Sequence, residues 1–423
     1  MYSFRSPLLQ VLHDRGFIHQ TTPIEALDAV LAAGPTAIYY GCDATASSLH
    51  VGNLMGLMVM RWVQIMGHQA IMLVGGGTTK VGDPSGRDTS RTLLSHGQIA
   101  ENIRGIVACY HQVLDKKSLV VVDNADWLDS LGYTGFLRDI GVHFSVNRML
   151  HFDSVKTRLD REEPLSFIEF NYILLQSYDF LQLYRSKKCL VQVGGSDQWG
   201  NMVSGVDLVR RIEGVSLHAV TWPLLETSSG AKMGKTANGA IWLDPARYSP
   251  FDYWQFWRNV DDRDVIRFLK IFTMVPLEEI DLFATAEGQS LNAAKILLAD
   301  HACALIHGSE VLEDIHGAVV GADGSVGSRG ASSGGQRICP TYVWTDQDRA
   351  EGVLVYKILV SLGWVVSGRE GRQKITEGAV KIDDKKIDDP MERLFFHPES
   401  PKQSQNIRCG NKKSGIIICN API

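Results

Sequence analysis

Lys232-Met233-Gly234-Lys235-Thr236 sets two lysines three positions apart, directly after Ser228-Ser229-Gly230. Lysines in loops are ordinarily just solvated. Two ammonium groups on a Gly-containing segment could also close over a triphosphate and balance the charge that develops on a departing pyrophosphate. A second set, Ser48-Leu49-His50-Val51-Gly52-Asn53, stands where a strand and turn give way to a helix. A His at such a place is commonly a surface or capping residue. A helix start also offers unpaired backbone N–H groups and the positive end of a dipole. Gly52 would let a ligand approach the backbone, and His50 and Asn53 add donors. Val193-Gly194-Gly195-Ser196-Asp197-Gln198-Trp199-Gly200-Asn201 is a strand-end loop dense in polar side chains, and such loops are disproportionately functional. Tyr172, Gln176 and Asp179 follow at spacings of four and three, which puts them on one face of a helix. That face could line a core, but its polar identity favours a pocket.

These groups need a frame to hold them. Ala37–Tyr40, Ala70–Val74, Leu119–Val122 and Cys189–Val193 read as short apolar strands, the second ending in Gly75-Gly76-Gly77 and the fourth in Gly194-Gly195. Helical patterns separate them, one beginning near Val51 and running toward Met66. The alternation predicts an α/β fold, an open and mainly parallel sheet with helices on both faces. Ligands of such sheets bind outside the carboxyl ends of the strands, where the glycine clusters fall. Phe251, Trp254, Phe256, Trp257, Ile266, Leu269 and Phe272 at helical spacing predict a small helical region. Residues 317–336 are Gly/Ser-rich and have the composition of a linker. A helix over Leu354–Leu362 and apolar-polar alternation over Ala379–Ile387 predict a small α+β module at the end. The expected divisions are 1–246, 247–316, a linker at 317–342, and 343–423.

Composition excludes disordered and fibrous classes, with 45% hydrophobic and 21% charged residues. Net charge is −5, but the segment from Glu351 to Ile423 has 12 Lys/Arg against 9 Asp/Glu, leaving 30 against 38 elsewhere. The mildly basic tail is compatible with a nucleic-acid contact. Seven scattered cysteines without a Cys-x-x-Cys pair fit reduced thiols in a cytoplasmic setting. No apolar run approaches the roughly 18 to 20 residues of a membrane span. Leu8, Leu9, Leu12 and Phe17, interleaved with charges, fit a first helix that belongs to the fold rather than a secretory leader.

The His-Val-Gly-Asn and Lys-Met-Gly-Lys-Thr segments resemble the two signature motifs of the class I aminoacyl-tRNA synthetases, often quoted as HIGH and KMSKS. Tyr39-x-Gly41-x-Asp43, Gly75-Gly-Gly-Thr78 with Gly82-Asp83-Pro84-Ser85-Gly86, Tyr172-x-x-x-Gln176-x-x-Asp179 and Gly194 to Asn201 look like the bacterial-type tyrosyl branch of that family. They occur in the family's order over nearly the whole chain. Asn53 replaces the second histidine of the first motif, and Gly234 and Thr236 replace both serines of the second. Tyr40 and Cys42 reverse the type of many relatives, which place cysteine directly after the phenol-binding tyrosine and a larger apolar residue two positions later.

The resemblance implies a Rossmann-like doubly wound catalytic domain, a small helical domain and a C-terminal S4-like RNA-binding domain. It implies an enzyme that activates L-tyrosine with ATP and Mg²⁺, without a dedicated protein metal site, and charges tRNA(Tyr). Tyr39 and Asp179 would hold the substrate phenol, Asp83, Tyr172 and Gln176 would surround its ammonium group, and Gln198, on the ribose side, would help position the substrate. Gly41, Asp43, Gly52, Asn53, Gly195 and Asp197 would line the ATP site, with His50, Lys232 and Lys235 also touching ATP. Thr45, His50, Lys232 and Lys235 form the expected transition-state group. Arg87 and Arg91 are candidates for pyrophosphate or acceptor-end contacts. Arg369, Arg372, Lys412 and Lys413 are the candidate RNA contacts, and the family's homodimeric state is inherited the same way. Tryptophanyl activation and a non-catalytic RNA-binding scaffold are the competing readings. The phenol pair argues against the first, and retention of His50, Asp83, Lys232 and Lys235 against the second.

Overall fold

Five apolar runs form the spine of one sheet, and the burial of most of them on both faces is why they read as nearly continuous hydrophobic stretches rather than alternating ones; only the run at the sheet edge, Leu119–Asp123, is half-exposed. The computed structural model describes residues 2–85, 94–228, 230, 233–236, 239–323, 341–343, 352–383, 385–395, 404–410 and 413–418. Residues up to His307 form one compact unit and those from Gly308 a second.

In the first unit, α1 (Pro7–Asp14), the edge strand β1 (Gln20–Thr21) and α2 (Ile24–Ala32) lead into β2 (Ala37–Asp43), α3 (Val51–Ile65), β3 (Gln69–Gly75), α4 (His96–Val113) and β4 (Leu119–Asp123). Short helices between residues 125 and 170 follow, then α5 (Tyr172–Lys187), β5 (Cys189–Gly195), α6 (Trp199–Glu213) and β6 (His218–Trp222). The sheet order is β1-β6-β5-β2-β3-β4, parallel throughout except for β1. From β2 the chain proceeds outward to β3 and β4, then returns to β5 on β2's other side. The ligand crevice of a doubly wound sheet lies where the winding reverses, here between the carboxyl ends of β2 and β5.

Successive residues of β2 face opposite layers. Tyr39 joins Ile71, Leu73, Phe180, Leu181, Leu208 and Val209 in the core under α5 and α6. Tyr40 points to the other layer, where its ring meets Trp222 edge-on at 5.2 Å.

The expected helical region is present as α7 (Pro250–Arg258), α8 (Val265–Phe272) and α9 (Gly288–His307). Trp257 is fully buried among it, with Phe272 and Phe268 at centroid distances of 4.8 and 6.0 Å. The division expected at residue 246 is not where the compact units separate, because this region is tied to the catalytic layers. Arg15, after α1, donates to the carbonyls of Lys270, Thr273 and Val275 at 3.0, 3.1 and 2.7 Å. A guanidinium only 4% exposed is tolerable because these carbonyls take both terminal nitrogens and its plane lies over Trp62 at 4.6 Å, leaving only Nε without a partner among the described residues.

In the second unit, α10 (Val311–Asp323) carries the helix into residues 317–323, which composition assigns to the linker. Gly and Ser lower helix propensity without forbidding it. Beyond it, β9 (Thr341–Val343), β10 (Val353–Leu354), α11 (Val355–Ser361), α12 (Gly368–Thr376), β11 (Val380–Ile382), β12 (Lys385–Lys386), β13 (Arg393–Leu394), β14 (Ser404–Cys409) and β15 (Lys413–Ile418) make the α+β module. Its five-stranded sheet has the order β12-β11-β14-β15-β9 over a core of Ile358, Leu359, Ile375, Val380, Ile407 and Ile417. No helix among the described residues is long and apolar enough to cross a membrane.

Candidate active site

Two polar networks meet at the carboxyl ends of β2, β3, β4 and β5. The deeper one centres on Asp179, on the second turn of α5 and 2% exposed. Its oxygens accept from Asn124 Nδ2 at 2.9 Å and Trp127 Nε1 at 2.7 Å. Asn124, at the end of β4, also donates to Thr78 Oγ1 at 2.9 Å and accepts from the Gly77 N–H at 2.8 Å. Burial pushes the Asp179 carboxyl up to about 8, against the lowering effect of those two donors. At pH 7 the folded protein therefore holds a proton that the unfolded chain has released. By linkage, this group's contribution to stability falls as pH rises from about 4 to about 8.

The neighbour of this carboxyl is Tyr39, whose ring packs edge-on to Phe180 at 5.1 Å. Burial and the Asp179 charge hold its phenol well above the ordinary range. The Tyr39 hydroxyl is buried and has no hydrogen-bond partner among the described residues. An unpaired buried hydroxyl costs about 1–3 kcal/mol. Beside a carboxyl, it marks a place where a second hydroxyl would be bound.

The shallower network is a row of side chains. Asp83 accepts from Gln198 Nε2 at 2.8 Å, Gln198 Oε1 accepts from Asn201 Nδ2 at 3.2 Å, and the same Asn201 group donates to Gln176 Oε1 at 3.0 Å. Asp83 is further held by the Ser85 N–H at 2.9 Å. The Tyr172 hydroxyl reaches Asp43 at 3.2 Å, and Asp43 also accepts from Thr78 Oγ1 at 2.7 Å. Thus Asp83, Gln198 and Gln176 are linked through Asn201, whereas Tyr172 and Asp43 are bonded through Thr78 to Asn124 of the deeper network. A positively charged group entering here would meet two carboxylates and several amide oxygens.

The start of α3 corrects an expectation. The sequence suggests unpaired backbone donors there, but the protein uses them itself. The Val51 N–H donates to the Ile241 carbonyl at 2.9 Å, Gly52 to His50 Nδ1 at 2.9 Å, and Asn53 to the His50 carbonyl at 2.8 Å. Asn53 Oδ1 accepts from the His50 N–H at 3.2 Å, completing a capping box. Bonds of Leu243 N–H to the Leu49 carbonyl and an antiparallel bridge between His50 and Trp242 extend the pairing. Gly52 is required by the protein itself, since a Cβ there would lie 2.6 Å from His50 Cε1 and 3.3 Å from the Met233 carbonyl oxygen. Gly234, at φ +84°, presses from the other side, where a Cβ would come within 2.8 Å of the Gly52 nitrogen. The two signature segments therefore touch through their backbones.

Of the remaining expected residues, Thr45 is exposed and its N–H donates to the Asp43 carbonyl at 3.0 Å. Gly41 is exposed at the end of β2, Asp197 is exposed after β5, and a Cβ on Gly195 would be 2.5 Å from Asp197 Oδ1. Lys232, Arg87, Arg91 and Lys412 lie outside the described residues. Lys235 opens β7 (Lys235–Thr236), which pairs with β8 (Gly239–Ala240). In the second unit, Arg369 is exposed on α12, Arg372 stacks on Tyr356 at 4.7 Å, and Lys413 donates to the Trp364 carbonyl. The last bond employs a candidate RNA contact within its own module.

The sequence reading missed Asn124, Trp127, Trp222 and Trp242, and gave Asn201, quoted within the Gly194–Asn201 loop, no role of its own. For Asn124 a signal existed, because Asp123-Asn124 ends an apolar strand where the α/β rule places ligands. Trp242 has no local signal. Its ring faces His50 at 6.1 Å, with Arg247 stacked on it at 3.5 Å.

Residues 31–322 match the family described as tRNA synthetases class I (W and Y). Over 418 residues the chain is 47% identical to the tyrosine–tRNA ligase of Xanthobacter autotrophicus, covering 98% of each. Over 417 residues it is 45% identical to that of Rhodospirillum rubrum, again covering 98% of each. Among solved structures, a C-terminally truncated mitochondrial tyrosyl-tRNA synthetase of Aspergillus nidulans superposes with a TM-score of 0.67 at 30% identity, covering 74% of this chain and 94% of that one.

Proposed function

Because the chain belongs to the class I aminoacyl-tRNA synthetases of the tryptophan and tyrosine branch, we infer that it is an enzyme that activates L-tyrosine with ATP and transfers it to the 3′ end of tRNA(Tyr). The observation that carries the tyrosine assignment is the buried pair of Tyr39, with its unpartnered hydroxyl, and Asp179. A phenol inserted between them would satisfy Tyr39 and engage the carboxyl. Phenylalanine would leave both groups unpaired; discrimination of about 10⁵-fold on this principle has a tyrosyl synthetase as its reference case. An indole offers one donor and no acceptor, so it could not serve both groups.

The row from Asp83 through Gln198 and Gln176, with Tyr172, holds the substrate ammonium. The tyrosine carboxylate is then aimed at the α-phosphate of ATP. It attacks phosphorus in line, the bond to the bridging oxygen breaks, and pyrophosphate leaves, so no protein nucleophile is needed. Catalysis is positioning plus neutralisation of developing charge. Thr45, His50, Lys232 and Lys235 supply the neutralisation. Gly41, Asp43, Gly52, Asn53, Gly195 and Asp197 shape the nucleoside side. Mg²⁺ arrives as part of the ATP substrate.

The enzyme works as a homodimer in the cytoplasm. Support for the dimer comes from Tyr133, Val142, Val146 and Phe167, which are 63, 70, 58 and 69% exposed on or between the short helices before α5. The organisation proposed from the sequence stands in modified form: catalytic layers with the helical region through His307, then a C-terminal module whose Arg369 and Arg372 contact tRNA phosphates. The test is exchange of labelled pyrophosphate into ATP with each of the twenty amino acids. Tyrosine alone should support exchange; failure of properly folded protein to exchange with tyrosine would leave the non-catalytic scaffold as the reading.

A further inference from the structure

The turn between β2 and α3 is gripped by one face of α4, a helix that contributes no group to the two polar networks. Asn102, Gly105 and Cys109 follow one another at helical spacings of three and four, and all three meet the turn. Asn102 Nδ2 donates to the Ala44 carbonyl at 2.8 Å. A Cβ on Gly105 would collide with the Ser47 carbonyl oxygen and sit 2.7 Å from its carbon, so only glycine lets the helix approach this backbone. Cys109 Sγ lies 3.5 Å from Ser48 Oγ, which also accepts from the Asp244 N–H at 3.2 Å.

The bonds converge on the approach to Thr45. Ala44 is fully buried, its N–H donates to Thr79 Oγ1 at 2.7 Å, and that hydroxyl donates in turn to the Gly75 carbonyl at 2.5 Å. In the next peptide unit the Ala44 carbonyl takes the Asn102 bond, and the Thr45 N–H donates to the Asp43 carbonyl at 3.0 Å. A peptide is planar, so holding it at both its oxygen and its N–H fixes the position of the Cα that follows. Here that Cα belongs to Thr45, which is exposed. The Asp43 bond is internal to the turn; Thr79 and Asn102 are the anchors from outside it.

We propose that Asn102 is a positioning residue for the activation step: by anchoring the Ala44–Thr45 peptide to α4, it fixes the place from which Thr45 meets the phosphate charge. Asn102 touches no reacting atom. Without its donor the peptide would rock about the Thr79 anchor, and Thr45 would spend less of its time in the productive placement. Such a loss falls on the transition state more than on substrate binding.

The proposal rests on the tyrosine-activating reading, and full-length protein assayed by pyrophosphate exchange separates the two. Wild-type protein without tyrosine-dependent exchange refutes that reading. Asn102→Ala should lower kcat about fivefold, the worth of one ordinary hydrogen bond, with KM for tyrosine unchanged within about twofold. Asn102→Asp keeps the shape but puts an acceptor where the donor was, and should lose at least as much. In a Thr45→Ala background, Asn102→Ala should change kcat by less than about twofold, since the group through which it acts is gone. Ser95→Ala serves as the control for the helix itself: it removes the hydroxyl that caps α4 by accepting from the Gln98 N–H at 3.3 Å, and leaves the Asn102 face intact. It should lower the melting temperature while kcat stays within about twofold. Unaltered kcat in Asn102→Ala, full activity in Asn102→Asp, losses that multiply fully in the double variant, or a Ser95→Ala effect on kcat equal to that of Asn102→Ala would each overturn the proposal. The last would assign the effect to the stability of α4.

Discussion

At the end proposed for the substrate phenol the polar groups are side chains sealed from water, Asp179 with two donors and Tyr39 with none among the described residues. At the nucleotide end the work of assembly is done by backbone: the Val51, Gly52 and Asn53 N–H groups are all engaged within the protein, and two glycines let the signature segments touch. The contrast follows from what each end must do. Selecting a hydroxyl requires polar groups that lose something when the wrong ligand enters, which only desolvated groups do. Handling a triphosphate requires charge brought close and then released, which a surface segment on a fixed anchor provides.

Substitutions at the two ends should therefore separate. The largest effect belongs to Asp179→Ala. It removes the acceptor from the phenol end and strands Asn124 and Trp127, so kcat/KM for tyrosine in exchange should fall by about 100-fold or more while KM for ATP changes little. An unchanged tyrosine KM would place the phenol elsewhere. Next is Gly52→Ala, whose methyl would meet the His50 ring at 2.6 Å and force the cap apart. Here kcat should fall roughly tenfold with tyrosine KM preserved; an equal loss of tyrosine affinity would erase the distinction between the ends. The smallest is Tyr39→Phe, expected to raise tyrosine KM about fivefold while the unliganded protein melts at the same or a higher temperature, because a buried unpaired hydroxyl has been removed. A clearly lower melting temperature would show that the hydroxyl is satisfied in the empty protein.

The same division explains what could be read beforehand. The strands were legible because two-sided burial makes them continuous apolar runs, and β2, β3, β4 and β5 lie within a few residues of where composition puts them. Tyr39 and Asp179 were legible through family resemblance, and Tyr172, Gln176 and Asp179 also through helical spacing. Asn124 could have been flagged by its place at the end of an apolar strand, but its partners could not, since its bonds reach Thr78 and Asp179, 46 and 55 residues away, and no local pattern encodes such a meeting. The donors of α3 were misread for two reasons: the acceptor of Val51, Ile241, belongs to a segment roughly 190 residues later, which a local reading cannot supply, and Gly52 and Asn53 are taken locally by His50 acting as the cap. The continuity across residue 246 was not legible because it is made by Arg15, near the beginning of the chain, bonding the carbonyls at the end of α8.

The pairing of Ile241 and Leu243 with the residues before α3 also works as a tether. Lys235 is about six residues from that mooring, a length of chain that cannot span more than roughly 20 Å. The Ile241 N–H also donates to the Gly234 carbonyl at 3.1 Å and β7 pairs with β8, so the Lys235 backbone is moored beside the start of α3. On the role proposed for Lys235, that mooring keeps a cation at an effective concentration of about a millimolar or more near the phosphates before each turnover begins.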